Sequence, residues 1–168
     1  MHQHPELSFQ EENTSKFVAS ILSDLNICFR DGVAGTGIIA EIQGSDPSSK
    51  LVALRADMDA LPIQEENEVS YRSQNDGLMH ACGHDVHTSS LLGVARILKS
   101  VQNDFSGTIR LIFQPGEEQL PGGASLMIKE GALKSPVPSS IFGQHVFPEL
   151  PSGKIGFMNR NGETVIPA

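Results

Sequence analysis

Thr108-Ile109-Arg110-Leu111-Ile112-Phe113 alternates in side-chain character and is rich in β-branched residues. It then breaks at Gln114-Pro115-Gly116 and delivers two adjacent carboxylates, Glu117 and Glu118. Alternation of this kind reads as a strand, and the Pro-Gly pair marks its exit. Just upstream, Leu91, Val94, Ala95, Leu98 and Val101 recur at three- and four-residue spacing, which predicts a helix from Asp85 onward. Further back, Leu51-Val52-Ala53-Leu54 is a short apolar run suited to a buried strand, and its exit carries Arg55-Ala56-Asp57-Met58-Asp59-Ala60-Leu61-Pro62. Downstream, a short helix is predicted over about residues 122–130, stopped by Gly131. Ile141-Phe142-Gly143 then reads as a strand leading to His145, and Gly153 to Phe157 as one more candidate strand. Strands alternating with helices imply an α/β fold, a mixed sheet flanked by helices.

The N-terminal third fits the same plan. Ile38-Ile39-Ala40-Glu41-Ile42 reads as a strand ending at Gly44. The glycines of Gly32-Val33-Ala34-Gly35-Thr36-Gly37 read as the turn before it; a dinucleotide loop would need a strand before and a helix after. Ser8-Phe9-Gln10-Glu11 has the spacing of a capping box, and Phe17, Val18, Ile21, Leu22 and Leu25 follow on one face, so a helix is expected from about residue 8 to 25. Asp46 to Ser49 is a turn, and residues 63–78 form a polar loop without periodicity.

With 168 residues, 39% hydrophobic and 19% charged, the chain has the composition of one globular domain with a real core. Twelve basic against twenty acidic residues leave a charge of −8 and no basic cluster, so neither nucleic acid nor an anionic membrane is an expected partner. No apolar run approaches the roughly 18 residues of a membrane span, and a soluble, cytoplasmic protein acting on a small molecule is expected. Of the two cysteines, Cys28 is expected to be a small buried hydrophobe.

Cys82 is different because Met79-His80-Ala81-Cys82-Gly83-His84-Asp85-Val86-His87 packs a thiol, three imidazoles and a carboxylate into nine residues. Cys-x-His lets a thiolate and an imidazole reach one ion, and a helix N-terminus at this point would favour the thiolate. Cys82 as apolar filler with His84 as a helix cap is the competing reading, and Cys82 as a nucleophile with His84 or His87 as its base is another. Adjacent Glu117 and Glu118 point in different directions, so one can hold a metal while the other moves a proton, the division of labour a metal-dependent hydrolase needs. His145 is a third ligand-type residue at a strand end. His80 and His87 are expected to support or pack, and His2 and His4 to be solvated.

These stretches, together with His2-Gln3-His4-Pro5-Glu6-Leu7-Ser8 and Gly35-Thr36-Gly37, resemble the M20 metallopeptidase family, in its aminoacylase and amidohydrolase branch of hippurate and auxin-conjugate hydrolases. The resemblance covers residues 1–157 and implies a partial zinc-peptidase-like catalytic domain. The lid domain, often a dimer contact, and the second half of the catalytic domain are expected to be absent, and residues 158–168 to depart from the pattern. It implies Cys82, His84, Glu118 and His145 as ligands to divalent metal ions, two per complete site, of zinc, manganese, cobalt or nickel, and Asp57 as their support. It also implies Glu117 as general acid/base, taking a proton from the attacking water and passing it to the leaving amine of an N-acyl amino acid. The alternative expectation is a non-catalytic piece that binds metal or a partner.

Overall fold

The computed structural model describes residues 1–158 and 164–167. In chain order its elements are α1 (Glu12–Asp24), β1 (Cys28–Val33), β2 (Gly37–Gln43), β3 (Leu51–Asp57), α2 (His84–Ser100), β4 (Thr108–Gln114), α3 (Gly123–Lys129), β5 (Ser140–Gly143), β6 (Gly156–Met158) and β7 (Thr164–Pro167). Five strands form one mixed sheet in the order β1-β2-β4-β3-β5, and β6 pairs with β7 in a separate antiparallel pair. β4 lies parallel to β3, and β3 parallel to β5, while β2 runs antiparallel to both β1 and β4. The α/β mixed sheet flanked by helices is therefore present.

The pleat of β4 sorts the core into two layers. Leu111 and Phe113, both fully buried, face α1 and α2 and join Val18, Leu22, Leu91, Leu92, Ala95, Ile38, Ala40 and Met58. Ile112 points to the other face and packs with Val33, Ala53 and Met127 of α3. Each large side chain buried here contributes roughly 1.5–3 kcal/mol, so the layer under α1 and α2 carries most of the hydrophobic stabilisation. Arg110, also on the α3 side, pairs with Glu41 at 2.7 Å and donates to the carbonyls of Ala132, Lys134 and Pro136, fastening the chain beyond α3 to the sheet.

Several expectations are corrected. The first helix begins at Glu12, because the capping box does not form. Ser8 donates instead to Asp59 at 2.6 Å, and the buried Glu11 carboxylate accepts from Phe9 N–H, Gly116 N–H and the Thr36 hydroxyl. The helix start is capped from outside by Glu6, which accepts from the Asn13 and Thr14 amides. Phe17 is 47% exposed, while Val18 and Leu22 carry the buried face. β1 has no counterpart among the expected elements; four of its six residues are exposed, so it has no alternation to read, and Cys28 is exposed within it. Residues 159–163 and 168 of the expected divergent tail lie outside the described residues.

The long segment between β3 and α2 is held by Glu65, whose carboxylate accepts from Ser73 N–H at 2.6 Å, Asn67 Nδ2 and His2 Nε2. His2 is thus no solvated end: its Nδ1 lies 2.7 Å from Asp85. The Ser73 amide, helped by Asn67 and His2 against the opposing effect of burial, lowers the Glu65 pKa from 4.5 to about 2. For His2, burial lowers the pKa but the bonds and charges of Asp85 and Glu65 outweigh it and raise it above 6.5.

Glu11→Ala strands the buried Gly116 N–H and should cost roughly 2–3 kcal/mol in chemical denaturation, with Glu11→Gln recovering part of the loss. The Glu65 contribution is complete above pH 4.5 and lost as pH falls towards about 2, whereas the His2 contribution is complete below pH 6.5 and lost as pH rises through its raised pKa. The protection factor of the Ser73 amide should therefore be highest between those limits and decline on both sides.

Candidate metal centre

The parallel register sets the C-terminal ends of β4, β3 and β5 side by side, with Asp57 opposite Gln114 and Arg55 opposite Gly143. Asp57 to Asp59, Gln114 to Glu118 and Gly143 to His145 therefore leave the sheet at one edge, where open α/β sheets collect their chemistry. Cys82 and His84 enter the same space from the start of α2. Gly83, at φ 82°, occupies the N-cap position without a side-chain cap, which removes the reading of His84 as a hydrogen-bonded cap.

His84 is fully buried and stands at the middle. Its Nδ1 faces Asp59 Oδ1 at 3.3 Å, which turns Nε2 inward. Nε2 is 3.6 Å from Asp57 Oδ2 and 3.7 Å from Glu118 Oε1, and no hydrogen-bond partner serves it among the described residues. Ligand atoms of Cys82, His84 and His145 lie within 4.8 Å of one another, and so do those of His84, Glu117 and Glu118. Cys82, Glu117, Glu118 and His145, the other four residues to which the sequence points, are thus gathered around the His84 imidazole. Glu117 and Glu118 are exposed at the mouth, open to a ligand arriving from solvent.

His145 keeps Nδ1 against its neighbour's carbonyl, Val146 O, at 2.6 Å, which leaves Nε2 to face Cys82 Sγ at 3.4 Å. His87 is also fully buried and close, and Asp57, His84 and His87 form a third tight group. Both His87 nitrogens are nevertheless engaged: Nδ1 donates to Asp57 Oδ1 at 2.7 Å and Nε2 accepts from Val146 N–H at 2.9 Å. His87 has no free lone pair for an ion.

The electrostatics favour a cation. Burial raises the Cys82 pKa, and the bond and charge of Glu118 and the charges of Asp57 and Glu117 add to it, to about 11. This overrides the helix N-terminus, from which a thiolate was expected, and a thiol at that pKa is a poor metal-free nucleophile at neutral pH. Burial lowers the His84 pKa, but its bond to Asp59 and the charges of Asp57, Asp59 and Glu118 outweigh it and raise the pKa. The neighbouring carboxylates add to both shifts, and a divalent ion there would displace both protons. A thiolate, two imidazoles and a carboxylate suit a zinc-type transition ion, and the orphaned Nε2 of His84 supplies a buried lone pair aimed at it.

Sequence reasoning missed Asp59 and Ser8. Asp59 is 1% exposed, and burial, which would raise its pKa, is outweighed by bonds from His84, Ser8 and the Glu118 and Glu117 backbone, so its carboxyl sits well below the usual range. The detectable signal was two aspartates spaced two apart at a buried strand's exit, which put Asp57 and Asp59 on one side of the chain. No motif could have paired Ser8 with Asp59 across 51 residues.

The family model for peptidase family M20/M25/M40 matches residues 53–159. The chain is 45% identical over 158 residues to the N-acyl-L-amino acid amidohydrolase of Geobacillus stearothermophilus, covering 94% of this chain and 42% of that protein. It is 49% identical over 154 residues to the IAA-amino acid hydrolase ILR1-like 2 of Arabidopsis thaliana, covering 92% of this chain and 34% of that one. Among solved structures it superposes on the Bacillus subtilis YXEP protein, described as a dinuclear metal binding peptidase from the M20 family. There the TM-score is 0.83 at 46% identity, with 89% of this chain and 41% of that one covered. The chain thus spans about two fifths of the length of these bacterial relatives. Its mixed sheet, its gathered ligand-type residues and these likenesses agree, and the chain belongs to the M20 family of peptidases.

Proposed function

We propose that Cys82, His84, Glu118 and His145 hold divalent metal and that Glu117 is the general acid/base of an amide hydrolase. The observation that carries this reading is the unpartnered, fully buried Nε2 of His84, 3.7 Å from Glu118 Oε1, in an imidazole that groups with Cys82 and His145 on one side and with Glu117 and Glu118 on the other. Two ions per complete site is the count we propose, supported by the dinuclear description of the YXEP protein. The substrate class we propose is an N-acyl amino acid, supported by the names of the similar hydrolases. A small-molecule substrate, a cytoplasmic location and a homodimer belong to the same reading. Among the described residues no helix is long and apolar enough to cross a membrane.

A bound divalent ion supplies Lewis acidity towards the acyl carbonyl and the attacking water. The residues of the chain do the rest. Asp59 holds the His84 ring with Nε2 inward, and the Glu118 N–H it accepts fixes the turn carrying both glutamates. Glu117, exposed at the mouth, takes the proton of the attacking water and returns it to the departing amine. Arg55 sets Asp57 and Gln114 in place, at 2.6 Å and 2.8 Å respectively.

Elemental analysis of freshly purified protein should find bound divalent metal, which Cys82→Ala or His145→Ala lowers and a chelator removes together with any cleavage. Glu117→Gln should keep the metal while lowering release of free amine from an N-acetyl amino acid by roughly 10²–10⁴-fold; undiminished cleavage by that variant removes Glu117 from the reaction. Metal bound without turnover in the wild-type chain supports the second reading, a metal-binding piece that does not hydrolyse by itself.

A further inference from the structure

His145 stands on the least anchored part of the candidate centre. From Ile141 to Leu150 every residue is exposed except Val146. β5 ends at Gly143, two residues before His145, so sheet hydrogen bonds do not reach it. Beyond the strand, Val146 meets the start of α2 at two points, Gly83 and His87. Its side chain lies over Gly83, where a Cβ would overlap the Val146 methyl group, and its N–H donates to His87 Nε2 at 2.9 Å.

The acceptor at His87 is itself set by the sheet. Asp57 Oδ1 accepts from His87 Nδ1–H at 2.7 Å, which selects the tautomer with a lone pair on Nε2, and Arg55 Nη1 lies 2.6 Å from the other Asp57 oxygen. A chain of contacts thus runs from β3 through Asp57 and His87 to the backbone next to His145. The His87 and His145 rings lie 4.6 Å apart between centroids.

We propose that His87 is a positioning residue for His145: by accepting the Val146 N–H it sets where His145 Nε2 stands relative to Cys82 and His84. The inference rests on the metal-centre reading above. It adds to that reading a role for His87, which makes no bond to metal: the placement of the ligand that the fold holds least firmly.

Asn and Gln separate the two halves of the imidazole. At position 87 Asn can still donate to Asp57 but has no acceptor at the Nε2 position, whereas Gln can reach Val146 N–H with its Oε1 but leaves Asp57. Cobalt(II) titration, followed by the thiolate-to-cobalt charge-transfer band, reads the centre without turnover. His87→Asn should weaken cobalt(II) binding by roughly 10–100-fold while His87→Gln stays within about threefold of wild type. Equal binding by wild type and His87→Asn, or retention by Asn and loss by Gln, overturns the positioning role. A wild-type chain without the band overturns the metal-centre reading and this inference with it. A measurement on the metal-free wild type needs no variant to fold: scalar coupling between the Val146 amide nitrogen and His87 Nε2 should be present across the hydrogen bond, and its absence overturns the proposal.

Discussion

The Asp59 carboxylate, sealed at the exit of β3, accepts from the Ser8 hydroxyl, the Glu118 N–H and the His84 ring. These donors come from the N-terminal segment, the turn after β4 and the first turn of α2. A buried carboxylate must be satisfied by hydrogen bonds or charge, because stranding it costs several kcal/mol. The three segments are therefore held in one arrangement or the carboxylate is exposed to that cost. Glu11 repeats the device one layer out, tying the start of α1 to Thr36 and to Gly116 in the same turn. The turn carrying Glu117 and Glu118 is thereby held by two buried acids from different parts of the chain.

Such an arrangement concentrates negative charge, which adds to the burial that raises the Cys82 pKa and outweighs the burial that would lower the His84 pKa. Asp57, by contrast, keeps its charge: burial opposes it, but the His87 bond and the charges of Arg55 and His84 lower its pKa. Cation affinity and pre-organisation have one origin here. The carboxylates that orient the donor atoms also create the potential that attracts an ion.

The centre is not uniformly rigid. His84 and Asp57 lie in the core, supported by the layer of Leu91, Ala56 and Phe113. His145 sits on an exposed segment beyond a short edge strand, and local stability follows burial and contact density. A site of this kind combines a fixed half, set by α2 and β3, with a half whose position depends on a few specific contacts.

Periodicity made the strands around Leu51 and Ile109 and the helix after Asp85 legible, because each has a buried face and a burial pattern leaves a mark in sequence. Cys82, His84, Glu117, Glu118 and His145 were legible as chemistry because their residue types cluster at the ends of those elements. β1 was not, since a mostly exposed edge strand has no apolar pattern to display. The capping box at Ser8 and Glu11 was misread because local spacing says nothing of a distant competitor, and Asp59 and Gly116 compete for those side chains more strongly than the helix end does. Sequence by itself determined which residues could serve a metal centre and which elements carry them. Only the tertiary structure decided which nitrogen of each histidine faces inward, why Asp59 matters, and why His87 has no lone pair to give, since those outcomes depend on hydrogen-bond partners 25, 30 and 59 residues away along the chain.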